Sequence, residues 1–235
     1  MLRFKNTQFG YSEVFFSIEE LTLSTGKLYS LIGKNGIGKT TFFNTLCQFV
    51  TLKTGEIFIS NEKLFPNVSI AKRIAFVPSK FDGIQHLKVY DYIALGRAPY
   101  TNFLGKLNEV DHLKIKESIS ILGIDNLAQK DTVSLSDGER QLCSIAKALV
   151  QETPIILLDE PSAFLDYQNK IKVLQILQKI AKDKNLCIIQ STHDLDMSLE
   201  FSDAFLLINP RLKLMKEILR NEISKEVLID EAFGD

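Results

Sequence analysis

The sequence GKNGIGKT at residues 33–40 decides the fold, because it fits the pattern G-x-x-x-x-G-K-[ST] at every fixed position. It follows an apolar segment at residues 29–32 and precedes a helical pattern at residues 40–48. Glycines let backbone N–H groups approach phosphate oxygens closely, and the N-terminus of a following helix favours an anion. We therefore expect a strand, a phosphate-binding loop and a helix, with Lys39 at the terminal phosphates and the Thr40 hydroxyl on magnesium. The predicted binding residues are Gly33, Lys34, Asn35, Gly36, Ile37, Gly38, Lys39, Thr40 and Thr41.

A second feature is a predicted strand that ends in two acids. Residues 154–161 read PIILLDEP, with four apolar residues before the carboxylates. Such an apolar run is typical of a buried parallel strand, and ligands of open α/β sheets bind at the carboxyl ends of the strands. We predict that Asp159 holds magnesium through its water shell and that Glu160 is a general base for an attacking water. Two acids after a strand are more often a solvated edge, but the phosphate-binding loop favours the functional interpretation.

Strand and helix patterns alternate on both sides of these two motifs, which predicts a parallel sheet with helices on its faces. The predicted helices between the strand at residues 74–77 and the strand at residues 155–159 are too many for a simple crossover, so they indicate a helical subdomain. We expect one domain, with its core at about residues 1–80 and 151–235 and its helical subdomain at about residues 81–150. Further strands are predicted at residues 55–59 and 186–191, and helices at residues 89–96, 110–122, 136–151, 171–182 and 195–201.

The composition limits the possible partners. The 28 Lys and Arg residues nearly balance the 29 Asp and Glu residues, so there is no excess of positive charge for binding nucleic acid. The first residues lack the apolar region of a signal peptide, and no apolar run approaches the roughly 20 residues of a membrane span. We therefore expect any membrane role to come through a partner. The three cysteines are far apart and are expected to be reduced and buried.

Three further segments are LSDGERQ at residues 135–141, SAFLD at residues 162–166 and STHD at residues 191–194. Together with the two motifs above, they resemble the ATP-binding subunits of ABC transporters over about residues 4–208. The resemblance implies an α/β P-loop NTPase with a parallel core sheet, an N-terminal antiparallel β subdomain and an inserted helical subdomain. It also implies binding of ATP and magnesium, and an ATPase activity coupled to transport.

The resemblance assigns further site residues. Residues 135–141 look like the family's signature segment, so Ser136 and Gly138 are expected to contact ATP held by a second subunit. Asp166 matches the end of the family's D-loop at the dimer interface, and His193 matches the switch histidine at the γ-phosphate. Tyr11 is similar to the aromatic residue that stacks on adenine, and a core aromatic residue is the less favoured alternative. The predicted catalytic residues are Glu160, His193 and Lys39.

The sequence departs from the family pattern at three places. Asp137 stands where glycine is usual, inside an S-x-x-E pattern that predicts a helix capping box. Ser79 stands where the family carries a glutamine that touches magnesium and links the site to the membrane subunit. After Asn209, the sequence NPRLK at residues 209–213 replaces the usual glycine hairpin.

ALGRAPY at residues 94–100 and DYQ at residues 166–168 are similar to importers of iron-siderophore, haem and cobalamin chelates. This likeness implies a homodimer around two ATP molecules, integral-membrane permease subunits, a separate substrate-binding protein and a place at the cytoplasmic face of the membrane. The transported substrate is not specified. The alternative is a regulatory or structural nucleotide-binding subunit with weak hydrolysis, which Ser79 and Asp137 favour. Arg97 is expected either to contribute to permease docking or to brace the helical subdomain internally.

Overall fold

The strand before the phosphate-binding loop lies inside a mixed β-sheet in the computed structural model, which describes residues 1–65, 69–163 and 165–234. Ten strands of this described part share the sheet. They are β1 Leu2–Gly10, β2 Val14–Leu23, β3 Lys27–Ile32, β4 Thr54–Ile59, β5 Glu62–Lys63, β6 Ile74–Val77, β7 Ile155–Leu158, β8 Cys187–Ser191, β9 Ala204–Asn209 and β10 Leu214–Leu219.

The strand order is β5-β4-β1-β2-β10-β9-β3-β8-β7-β6. The five strands from β9 to β6 are mutually parallel, whereas β1 pairs antiparallel with both β2 and β4. Strand β10 joins the two parts, because it runs antiparallel to β9 and parallel to β2. The predicted parallel core sheet with an N-terminal antiparallel part is therefore confirmed.

Seven α-helices are present in the described residues: α1 Lys39–Leu46, α2 Val89–Ala94, α3 Glu109–Ile121, α4 Asp137–Val150, α5 Tyr167–Asp183, α6 Leu195–Phe201 and α7 Lys225–Phe233. Helices α2, α3 and α4 lie in the chain between β6 and β7, as the inserted helical part was predicted to do. Helix α4 contacts both α2 and α3. A short 3-10 turn extends α2, and there a Cβ on Gly96 would lie 2.3 Å from the Lys147 carbonyl oxygen, so only glycine fits this helix crossing.

Arg97 is buried within this helical block. Its Nε donates to Asp111 Oδ1 at 2.8 Å, and its Nη1 donates to the Val150 carbonyl at 3.0 Å and to Glu152 Oε2 at 2.8 Å. The hydrogen bond from the Asn108 backbone and the Arg97 guanidinium hold the pKa of Asp111 below its usual value. Of the two roles open for Arg97, these contacts support internal bracing.

The two faces of the sheet are covered by separate apolar clusters, and successive residues of β7 point to different ones. Ile156 and Leu158 pack with the helical block, whereas Ile155 and Leu157 pack with α1 and the antiparallel strands. Four phenylalanine rings pack together between β1, β2 and the phosphate-loop helix α1: Phe4, Phe9, Phe16 and Phe42. Burial of each such ring contributes about 1.5–3 kcal/mol, so the loop rests on a firmly packed base.

The three cysteines are free and buried, as predicted, and burial raises the pKa of each thiol to about 12. Such thiols are inert as nucleophiles at neutral pH, because they carry almost no thiolate.

The tail after Asn209 forms a hairpin without glycine. The Asn209 side-chain oxygen accepts hydrogen bonds from the backbone N–H groups of Arg211 and Leu212, and Lys213 takes the left-handed conformation at φ +51°. The hairpin leads into β10, which pairs with β9, and into α7, which packs on β9 through Leu228. Neither β10 nor α7 was predicted from the sequence.

Candidate active site

One cavity of about 350 Å³ collects most of the predicted site residues. It lies where the phosphate-binding loop meets the carboxyl ends of β6, β7 and β8. This is the edge at which ligands of open α/β sheets bind. Its lining consists of Asn35, Gly36, Gly38, Lys39, Thr40, Thr41, Ser79, Asp159, Glu160 and His193.

The phosphate-binding loop reaches its shape through two glycines in the left-handed region, Gly36 at φ +76° and Gly38 at φ +114°. A Cβ on Gly38 would also lie 3.1 Å from the Phe16 ring, a tight contact that adds to the preference for glycine at this φ. Lys39 Nζ donates to the Gly33 carbonyl at 2.7 Å and to the Lys34 carbonyl at 3.2 Å. Lys39 is thus held across the loop, with its side chain at the start of α1.

Burial lowers the pKa of Lys39, and the negative charges of Glu160 and Asp159 partly oppose this effect. A largely buried ammonium that faces two carboxylates in one polar cavity can attract an anionic ligand, because little water competes for it there.

The two acids after β7 are held by the serine that ends β8. Ser191 Oγ donates to Asp159 Oδ1 at 2.6 Å and accepts from the Glu160 backbone N–H at 2.9 Å. Glu160 takes the left-handed conformation at φ +47°, which is uncommon for a residue other than glycine. Such backbone strain clusters at functional sites, where surrounding contacts maintain it.

His193 follows β8 and reaches Glu160. Its Nε2 atom lies 2.7 Å from Glu160 Oε1, and both side chains are about one-third to two-fifths exposed. The next residue, Asp194, caps α6 and also pairs with Lys170 of α5 at 3.2 Å. The histidine is therefore placed between a strand end and a capped helix start.

The residues predicted for magnesium, Thr40 and Asp159, both line the cavity. In the described residues, no group of three or more His, Cys, Asp or Glu side chains is arranged to hold a metal ion. Mg²⁺ commonly takes only one or two protein ligands and completes its shell with water and substrate phosphates, so a hydroxyl and a carboxylate fit this ion.

Seven predicted residues lie outside the lining of this cavity: Gly33, Lys34 and Ile37 of the phosphate-binding loop, and Tyr11, Ser136, Gly138 and Asp166. Tyr11 is 54% exposed and meets Phe15 edge to face at 5.9 Å, so it is not a core aromatic residue. Stacking on adenine stays a prediction.

The signature segment begins α4 with the predicted capping box, which is confirmed. Ser136 Oγ accepts from the Glu139 N–H at 3.3 Å, and the Glu139 carboxylate accepts from the Ser136 N–H at 2.8 Å. Asp137 Oδ1 is turned onto Arg140 at 2.6 Å, and Gly138 adjoins Leu165, where a Cβ would lie 2.8 Å from Cδ2. The arginine thus offsets the carboxylate that replaces the usual glycine.

The D-loop residue Asp166 caps α5, because its Oδ1 accepts from the Asn169 N–H at 2.9 Å. This cap also explains why the helix predicted to begin at Ile171 begins at Tyr167. Phe164 of the same loop lies outside the described residues.

Ser191 was not among the site residues predicted from the sequence, although it begins the segment STHD at residues 191–194. The available signal was a hydroxyl at the carboxyl end of a predicted parallel strand. The sequence could not show that β8 lies directly beside β7, which brings this hydroxyl to the acids.

Known proteins resemble this chain in sequence and in fold. Residues 17–163 match the family model described as ABC transporter. The uncharacterized ABC transporter ATP-binding protein MJ0873 of Methanocaldococcus jannaschii is 32% identical over 97% of this chain and 80% of its own length. The iron(3+)-hydroxamate import ATP-binding protein FhuC of Bacillus subtilis is 30% identical over 89% of this chain and 81% of its own length.

A solved ABC transporter structure also has the same fold as this chain. A metal-chelate type ABC transporter in an inward-facing conformation superposes with a TM-score of 0.85 at 28% identity, over 99% of this chain and 88% of that chain.

Proposed function

Because this chain belongs to the ABC transporter family of ATP-binding domains, we propose that it hydrolyses ATP as the nucleotide-binding subunit of an importer. The observation that carries the proposal is the single cavity that contains Lys39, Asp159, Glu160 and His193. A phosphate-binding loop alone would support nucleotide binding, but a carboxylate and a histidine beside it supply the groups for hydrolysis.

Each residue of the cavity has a proposed task. The N–H groups of the loop and the Lys39 ammonium bind the β- and γ-phosphates, with Thr41 at the same helix start. Glu160 accepts a proton from the attacking water, and His193 donates a hydrogen bond toward the γ-phosphate. Thr40 and Asp159 hold magnesium, which neutralises phosphate charge when it is bound.

The residues outside the cavity are proposed to act between subunits. Ser136 and Gly138 begin α4, where free N–H groups and the helix dipole favour an anion. We expect them to contact the ATP of a second copy, with Asp166 at the same interface and Tyr11 against the adenine. This arrangement makes the active form a homodimer around two ATP molecules, each chain contributing residues 1–235 as one ATPase domain.

The membrane partner is proposed from the relatives. FhuC is named for iron(3+)-hydroxamate import. CbrD of Dickeya dadantii, which is 30% identical over 92% of this chain, is named for achromobactin transport. We propose that this chain serves permease subunits and a separate binding protein for a chelate of the iron-siderophore, haem or cobalamin type, at the cytoplasmic face of the membrane. In the described residues, no helix is long and apolar enough to cross a membrane.

A regulatory subunit with weak hydrolysis is the second candidate. Ser79 favours it, because serine lines the cavity where the family's glutamine would reach magnesium. The presence of Glu160 and His193 in one cavity, with Oε1 and Nε2 2.7 Å apart, favours the active ATPase.

Nucleotide binding is tested by calorimetric titration of ATP into the wild type and Lys39→Ala. We expect tight binding by the wild type and loss of detectable binding by the variant, since it lacks the ammonium nearest the phosphates. Lys116→Ala, which removes an exposed lysine from α3, should bind ATP as the wild type does. Equal ATP affinity in wild type and Lys39→Ala would refute the phosphate-loop assignment.

A further inference from the structure

Ser191 occupies a junction between the two halves of the site. It is the last residue of β8, is fully buried, and lies between β3, which leads into the phosphate-binding loop, and β7, which leads into the acids. In the sheet register, Ser191 pairs with Leu31, and its neighbour Gln190 pairs with Leu158. Its side chain is therefore directly beside the point where β7 becomes Asp159 and Glu160.

The hydrogen-bond directions at Ser191 are fixed by chemistry. The Glu160 backbone N–H can only donate, so the serine oxygen accepts it at 2.9 Å. The one hydroxyl proton is then available for Asp159 Oδ1 at 2.6 Å. A single hydroxyl thus bonds to the carboxylate proposed for magnesium and to the backbone of the residue proposed as general base.

These two hydrogen bonds at Ser191 help to explain the backbone conformation of Glu160. Its φ of +47° is unfavourable for a side chain with a Cβ, so the conformation needs contacts that maintain it. The Ser191 oxygen is the acceptor that the described residues give to the Glu160 N–H. Alanine at position 191 would leave that part-buried N–H without its partner and would leave Asp159 Oδ1 free to turn.

We propose that Ser191 is a positioning residue that sets the orientation of both Asp159 and Glu160. The inference rests on the proposed ATPase function and deepens it, because it makes magnesium affinity and base placement depend on one hydroxyl. Removal of a residue that hydrogen-bonds to a metal ligand and orients it commonly changes metal affinity or activity by about 10–100-fold.

The first test measures amide hydrogen exchange of Glu160 by NMR in nucleotide-free protein, for wild type, Ser191→Ala and Ser191→Thr. We expect Ser191→Ala to accelerate amide exchange at Glu160 more than at Ile189, which lies in the middle of β8. Ser191→Thr keeps a hydroxyl at this position, so exchange at Glu160 should stay slow. Ser202→Ala is the matched control, because it removes a buried serine hydroxyl whose 2.7 Å bond is to Ser30, away from the acids. It should show no selective change at Glu160.

The second test titrates magnesium and measures ATP affinity in the same variants. The measured quantity is the magnesium concentration that gives half of the maximal increase in ATP affinity. We expect Ser191→Ala to raise this concentration by about 10–100-fold, while ATP affinity without magnesium stays at the wild-type value. Unchanged magnesium dependence or an unchanged Glu160 exchange ratio in Ser191→Ala would overturn the inference. If wild-type protein bound no ATP, the proposed function would fail, and the Glu160 exchange ratio would still decide whether Ser191 fixes that backbone.

Discussion

His193 Nε2 and Glu160 Oε1 lie 2.7 Å apart in the lining of the phosphate-loop cavity. The residue proposed to act on the attacking water and the residue proposed to act on the γ-phosphate are therefore in direct contact. The contact joins the ends of β7 and β8, so each side chain limits the rotamers of the other. Loss of either residue should therefore change the chemistry more than it changes nucleotide binding.

We expect His193→Ala to keep ATP affinity near the wild-type value and to lower kcat on the order of 10²-fold, because one donor toward the γ-phosphate is lost. Steady-state phosphate release at saturating ATP, together with calorimetric affinity, measures both quantities. His112→Ala is the control, since it removes an exposed histidine of α3 that bonds to Tyr90. A His193→Ala enzyme with wild-type kcat would remove the histidine from the mechanism.

Arg97 gives a prediction about stability. Arg97→Ala leaves the buried Asp111 carboxylate without its guanidinium, and breaking a buried pair in this way costs about 3–5 kcal/mol. The free energy of unfolding should fall by that amount in denaturant titration. Arg220→Ala, which removes an exposed arginine, should change it by less than about 0.5 kcal/mol. Wild-type stability combined with failure to assemble with a permease would instead assign Arg97 to docking.

Ser79 distinguishes the two candidate functions. The Ser79 side chain is too short to reach a magnesium ion, but water readily fills a magnesium ligand position. We therefore expect the wild type to hydrolyse ATP at a modest rate. Ser79→Gln should raise or maintain the basal rate and lower the magnesium requirement, with little change in ATP affinity. Phosphate release across a magnesium titration measures this effect, and Ser79→Ala should match the wild type.

Two outcomes would change this account of Ser79. If the wild type matched Ser79→Gln in both rate and magnesium requirement, serine would be a neutral replacement and the weak-hydrolysis alternative would lose its main support. If Ser79→Gln were inactive, the loop would be built around serine, and the correspondence with the family's glutamine would be wrong.

The parts of the fold that were best predicted from the sequence are those determined by residues close together in the chain. The phosphate-binding loop is contiguous, and its glycines, lysine and threonine have to be adjacent in the chain for the backbone to turn around an anion. The capping box at Ser136 and Glu139 is equally local, and the structure confirms it. Strand β7 was recognisable because a strand buried on both faces has a continuous apolar sequence.

What sequence could not predict depends on contacts distant in the chain. Ser191 and Asp159 are 32 residues apart, and they meet only because β8 inserts between β3 and β7. The hairpin at Asn209 was missed because its turn uses an Asn side chain and a lysine at positive φ where glycine is usual. The two roles of Arg97 were inseparable until its burial beside Asp111 was visible.

Glu160→Gln tests the general base. It replaces the carboxylate with an amide of the same shape, so ATP should still bind while kcat falls by on the order of 10²–10⁴-fold. Phosphate release measures the rate, and calorimetry measures the affinity. Glu139→Gln is a useful comparison, because it changes a glutamate in the α4 cap that lies outside the cavity.

The most direct test of the central claim is the molar mass of Glu160→Gln with ATP and magnesium, measured by size-exclusion chromatography with light scattering. Slow hydrolysis should trap each ATP between Lys39 of one chain and Ser136 of the other. We predict a mass twice the 26.6 kDa of one chain, and a single-chain mass when Lys39→Ala is added to Glu160→Gln. A Glu160→Gln protein that stays at 26.6 kDa at high concentration, and hydrolyses ATP at the wild-type rate, would contradict both the dimer and the role of Glu160.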